Sequence, residues 1–106
     1  MKHILLSILI AAGVFTMAAP AAESSKTHTI LIKGFQFQPE RLEVAVGDIV
    51  IWKNEDIVPH TATAKKGFDS KNLDRGQSWK YVAKQMGAFN YICTFHPSMK
   101  AVLVVK

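Results

Sequence analysis

The sequence predicts an all-β fold, a sandwich or barrel of about seven short antiparallel strands. Two observations carry that expectation. β-Branched and aromatic residues gather in short segments, several of which alternate apolar with polar, and clusters of Gly, Asp and Asn separate them at intervals that suit turns. No internal repeat, low-complexity tract or long linker divides the chain, which points to a single folded domain.

Each element follows in order. Residues 22–26 are polar and read as a short flexible start. Residues 27–33 alternate and are closed by Gly34. Leu42, Val44 and Val46 share one face of a second strand that ends at Gly47-Asp48. Residues 49–53 form a third, with Trp52 near its end and Asn54-Glu55-Asp56 as the turn. Residues 60–65 suit a fourth, stopped by Lys66-Gly67. The stretch 67–77, with Asp69, Ser70, Asn72, Asp74 and Gly76, has no clear period and reads as a loop with room for one helical turn. Residues 78–83 alternate, placing Trp79 and Tyr81 on one face. After Gly87, residues 88–93 place Phe89, Tyr91 and Cys93 on one face, and the valine-rich residues 101–106 close the chain.

The N-terminus has a different character. Met1-Lys2-His3 precedes an uncharged run over 4–19, and small residues end it at Ala19-Pro20-Ala21. Basic start, apolar middle and small-residue end are the three regions of a secretory signal peptide, with cleavage expected after Ala21 or one residue later. The run falls short of the about 20 apolar residues that cross a bilayer, so stable membrane insertion is not expected. The expected organisation is a leader over 1–21 and a folded domain over 22–106, placed in the periplasm.

A mature chain of about 85 residues sits where a single core is marginal and a disulfide or metal often helps. Cys93 is the only cysteine, so no disulfide forms within the chain, and an unpaired thiol is unusual in an oxidising compartment. These facts exclude a multidomain enzyme, a disulfide-stapled mini-protein and a polytopic membrane protein. The chain carries 13 Lys and Arg against 8 Asp and Glu, for a net charge of +5. The lysines are spread out with no dense basic run, which suits an acidic protein partner better than nucleic acid.

The chemistry concentrates in Cys93-Thr94-Phe95-His96-Pro97-Ser98-Met99, a C-x2-H-x2-M spacing between two predicted strands. A tight loop there turns its side chains toward one point, as a continuous strand with alternating faces does not. A fourth donor is available at His60, after Pro59, since loops at one end of a sandwich cluster together. Taken singly, Cys93 reads as a buried inert thiol, His60 as a turn residue, His96 as a loop residue and Met99 as a core gap-filler. Taken together, they place soft and nitrogen donors around the sole cysteine of an exported chain. A thiolate, two imidazoles and a weak axial thioether form the blue-copper electron-transfer arrangement. A zinc site remains open on the residues alone, although a thioether is a poor zinc ligand.

These residues carry a family resemblance. Val46-Gly47-Asp48, Ile51-Trp52-Lys53-Asn54, Pro59-His60-Thr61 and the run from Gly87 through Tyr91-Ile92-Cys93 to Met99 resemble the small cupredoxins, the amicyanin and plastocyanin group of type 1 copper proteins. The short spacing between His96 and Met99 is the amicyanin form. The resemblance covers nearly all of 27–106 and implies an eight-stranded Greek-key sandwich holding one copper ion that cycles between Cu(II) and Cu(I). It implies His60, Cys93 and His96 as strong ligands and Met99 as the axial one. Thr61 stands where the group usually has Asn, a residue that fastens the ligand loops, and Phe95 replaces a common proline.

The expectation is a monomeric one-electron carrier, not an enzyme, passing electrons between redox proteins such as a c-type cytochrome or a periplasmic dehydrogenase. His96 is the expected electron port, with Phe95, Pro97 and Pro59 around it and Lys65, Lys66 and Lys100 steering the partner. The alternative is a periplasmic copper-binding or copper-donor module without an electron-transfer role. It is weakened by the scarcity of methionine after the leader, where Met86 and Met99 alone remain.

Overall fold

Alternation decides which residues make the core. In β1 (Thr27–Lys33) Ile30 and Ile32 point inward, in β4 (Ile49–Asn54) Val50, Trp52 and Asn54 do, and both strands keep the intervening side chains more exposed. The computed structural model describes residues 24–106, together with Ala11 and Gly13, so the expected leader lies outside the described residues. Within them the chain forms seven strands and no helix, completed by β2 (Gln36–Gln38), β3 (Arg41–Val44), β5 (Ser78–Val82), β6 (Gly87–Cys93) and β7 (His96–Val105). No helix among the described residues is long and apolar enough to cross a membrane.

The strands make two sheets, β2-β1-β4-β5 and β3-β7-β6. The core lies between them and is centred on Trp52, whose ring centroid lies 5.0 Å from that of Phe68 and 5.6 Å from those of Trp79 and Tyr91. Such aromatic contacts add to the area they bury. Two buried polar atoms inside this cluster, Trp52 Nε1 and the Tyr91 hydroxyl, have no hydrogen-bond partner among the described residues. Burial pushes the Tyr91 hydroxyl up to about 12.

The all-β sandwich matches the sequence, and five details differ. The sheets are mixed, because β1 pairs parallel with β4 and β3 pairs parallel with β7. After β2 the chain crosses to the other sheet for β3 and then returns beside β1, which supplies the long crossover that a parallel pair requires. Secondly, residues 60–65 form no strand; isolated bridges His60–Leu73, Thr63–Asp69 and Thr63–Ile92 hold the segment instead. Thirdly, Val46 leaves the strand face and is exposed. Asp48 closes a tight turn there by accepting the Ala45 N–H at 2.9 Å, and Gly47 takes φ +94°. Finally, β2 was not foreseen, and the loop over 67–77 contains no helical turn. A three-residue strand is too short to show a period.

Candidate metal centre

Cys93 faces inward because it shares the parity of Phe89 and Tyr91 on β6, and it is fully buried at the strand's end. The loop expected after it is shorter than its ligand spacing suggests. Thr94 and Phe95 make the turn, and β7 starts at His96, which pairs directly with Cys93. His96 and Met99 have opposite parity and in an unbroken ladder would face opposite sides. The register breaks there: Cys93 pairs with His96 but Ile92 pairs with Lys100. Pro97, Ser98 and Met99 are left unpaired between these pairs, and Met99, Leu103 and Val105 are the buried residues of β7.

His60 comes from the segment that replaced the expected fourth strand. Reciprocal backbone bonds with Leu73, of 3.0 and 2.8 Å, hold it on one side. Two 2.9 Å bonds between Thr63 and Ile92 fasten the segment to β6. The result is a buried cluster in which the donor atoms of His60, Cys93 and His96 all lie within 4.8 Å of one another. Cys93 Sγ is 3.6 Å from His60 Nδ1 and 3.7 Å from His96 Nδ1. His60 is fully buried and His96 half-buried. Met99 is buried on β7 and lines a cleft of about 300 Å³ with Phe35 and Lys100.

Those separations fit a shared ion. A first-row metal bound about 2.3 Å from sulfur and about 2.05 Å from nitrogen, at tetrahedral to trigonal angles, sets the two donors about 3.6–3.8 Å apart. The donor types select among metals. A cysteine free of any disulfide and two imidazoles presenting Nδ1 to its sulfur suit copper in both oxidation states, with the buried Met99 thioether the expected further donor. The donor set fits one copper ion.

Neighbouring groups orient the donors. His60 Nε2 lies 2.8 Å from Asp56 Oδ2, which leaves Nδ1 facing the sulfur. The same carboxylate accepts the N–H groups of Gly34 at 2.8 Å and Phe35 at 3.0 Å. Burial alone would raise the Asp56 carboxyl, but the Phe35 and Gly34 N–H groups and the His60 ring outweigh it and hold it below the usual carboxylate range. Asn54, buried at the end of β4, donates to the carbonyls of Val58 and Leu73 and accepts the Asp56 N–H, so it shapes the approach to His60. The Thr61 N–H points at Cys93 Sγ from 3.4 Å. Its hydroxyl accepts the Thr94 N–H at 2.9 Å and meets the Thr94 hydroxyl at 3.1 Å. Thr61 thus ties the two donor segments together at the position where Asn is usual in the resembling group.

Sequence reading missed three contributors. Asn54 and Asp56 were read as turn residues, although the i,i+4 spacing from Asp56 to His60 is a signal visible in the chain. Phe35 was not singled out, yet its ring stands perpendicular to both candidate imidazoles. Phe95, Pro97 and Pro59 are exposed as expected, and so are Ile57 and Phe35, whose ring centroid lies 5.0 Å from that of His96.

A family model described as a cupredoxin-like domain matches residues 5–105. The chain is 29% identical over 95 residues to amicyanin-alpha of Methylorubrum extorquens, covering 84% of this chain and 79% of that one. It is 26% identical over 81 residues to an amicyanin of Paracoccus versutus, covering 71% of this chain but spanning 61% of that relative's length. Among solved structures, a purple cupredoxin from Nitrosopumilus maritimus superposes with a TM-score of 0.69 at 28% identity, over 74% of this chain and 99% of that one. With the two-sheet sandwich, the buried His-Cys-His cluster and a family match over almost its whole length, the chain belongs to the cupredoxin-like family, within which it is similar to the amicyanins.

Proposed function

We propose that this chain is an exported one-electron carrier that works on a single type 1 copper ion. His60, Cys93 and His96 are its strong ligands and Met99 its axial ligand. The observation that carries the reading is the buried cluster of Cys93 Sγ with the two Nδ1 atoms at 3.6 and 3.7 Å. Copper, when bound, supplies a reversible Cu(II)/Cu(I) couple.

The chain's own residues do the remainder. Asp56 fixes the His60 ring, and the Thr61 N–H disperses charge on the Cys93 sulfur. Burial of His60, Cys93 and Met99 keeps water from the donors, while half-buried His96 offers the shortest way out. Four protein donors leave no open position for a substrate, which favours a carrier over a catalyst. The apolar surface of Phe95, Pro97 and Pro59 touches the partner, and Lys65, Lys66 and Lys100, all exposed, steer an acidic one. A c-type cytochrome or a periplasmic dehydrogenase meets that description. The carrier acts as a monomer in the periplasm after loss of the leader over 1–21.

The test is optical. Copper(II) added to the mature protein should give an intense blue band from thiolate-to-copper charge transfer, bleached reversibly by one electron. Cys93→Ser should lose the band. A colourless copper(II) adduct, or a band that survives Cys93→Ser, overturns the assignment. Transfer rates to an acidic partner should fall as salt is added, because screening weakens the steering; rates indifferent to salt reject the lysine contribution.

A further inference from the structure

Phe35 is out of place by the usual rules. Gly34 and Phe35 are the two loop residues of the β1–β2 hairpin, whose flanking residues Lys33 and Gln36 pair directly. Both have positive φ, +61° at Gly34 and +58° at Phe35. Two-residue hairpins of that kind favour Gly, Asn or Asp, and a bulky residue at positive φ is strained. The ring is also half-exposed, so burial does not account for it. A residue that satisfies neither the turn nor the core, beside a functional cluster, points to a role in that cluster.

The contacts show which role. Phe35 lies 5.2 Å from His60 and 5.0 Å from His96, centroid to centroid, at interplanar angles of 89° and 86°. The two imidazoles are 5.1 Å apart, so the three rings form a nearly equilateral triangle. Perpendicular rings at these distances attract each other. The backbone of Phe35 is pinned by the Asp56 carboxylate, the group that also holds His60 Nε2. The strained turn and the buried imidazole therefore share one anchor. Phe35 also borders the cleft of about 300 Å³ that reaches Met99.

We propose that Phe35 is a positioning residue for the metal centre: its ring, aimed by the strained hairpin and by Asp56, holds the planes of His60 and His96 and closes the donor cluster toward the Met99 cleft. This rests on the copper reading above and adds a residue to it. The hairpin tip touches both imidazoles, His60 on the bridged segment after Pro59 and His96 on β7, and so sets their relative tilt.

The experiment compares wild type with Phe35→Ala, Phe35→Leu and Phe35→Tyr. In copper-free protein, nitrogen NMR of labelled imidazoles reads the order of the His60 and His96 rings. In copper-loaded protein, the copper(II) spectrum and transfer of copper to a chelator are read. Phe35→Ala should broaden the His96 ring signals, change the copper(II) spectrum and weaken copper binding by roughly 10–100-fold. Phe35→Leu, which keeps bulk but no ring, should resemble Phe35→Ala, and Phe35→Tyr should restore wild-type behaviour. Binding within about twofold of wild type and unchanged ring signals in Phe35→Ala overturn the proposal; so does full rescue by Phe35→Leu. A wild-type protein with no blue band would defeat the copper reading instead, and the copper-free ring signals still judge Phe35. Amide NMR separates loss of fold from loss of ring order, and if Phe35→Ala unfolds, the Leu and Tyr pair decides.

Discussion

The carboxylate of Asp56, four residues earlier in the chain, lies 2.8 Å from Nε2 of His60, and this pairing turns Nδ1 toward Cys93 Sγ. The imidazole is fully buried, and the carboxylate holds its Nε2 side while Nδ1 is left to the sulfur. Asp56→Ala should therefore weaken copper binding by about 10–100-fold while leaving a blue, broader copper(II) spectrum. Competition with a chelator at matched pH measures the loss. Affinity equal to wild type would show that backbone bonds alone aim His60.

Thr61 makes the cross-tie between the segments that carry His60 and Cys93. Thr61→Val keeps shape but removes the acceptor for the Thr94 N–H at 2.9 Å. Copper-free protein should lose about 1–2 kcal/mol of stability, read by urea unfolding. The backbone N–H at Cys93 Sγ is untouched, so the blue colour should persist.

Asn54 completes three hydrogen bonds in a fully buried position, to Val58 O, Leu73 O and the Asp56 N–H. Asn54→Ala strands these groups and should cost about 2–4 kcal/mol. Because the Leu73 carbonyl also accepts the His60 N–H at 3.0 Å, copper should dissociate faster as well. Thermal unfolding with and without copper separates the two effects; a stability unchanged from wild type would mean that water replaces the amide.

At the other end of the sandwich, the Asp48 carboxyl is lowered from 3.8 to about 2. The Lys26 N–H contributes most, then the His28 side chain, 2.9 Å away, and the Ala45 N–H. Since the folded value lies below the unfolded one, the unfolded chain binds the proton first on acidification. The Asp48 contribution is thus full above about pH 4 and is lost as pH falls toward about 2. Asp48→Asn should flatten the acid limb of stability in that window and lower stability at neutral pH. Urea midpoints at stepped pH test it; parallel acid limbs would reject the assignment.

Much of this was legible beforehand because it depends on parity and donor chemistry. The inward face of β6 follows from Phe89, Tyr91 and Cys93 alone. The three clustered donors and His60 were nameable from residue type. What escaped was held by contacts of long sequence separation. His60 and Cys93 are 33 residues apart, and isolated bridges, not a strand, bring them together. Phe35 sits on a three-residue strand's turn, where no period exists to read.

By itself, then, the chain determined an all-β sandwich, the inward cysteine and the identity of the candidate ligands, because side-chain alternation and ligand softness are local properties. The tertiary structure alone decided the parallel pairings of β1 with β4 and β3 with β7 and the register break that leaves Pro97, Ser98 and Met99 unpaired beside His96. It also decided that a single carboxylate, Asp56, anchors both His60 and the Phe35 hairpin. Those features are contacts between distant segments, and their geometry exists only once both sheets have closed over the core.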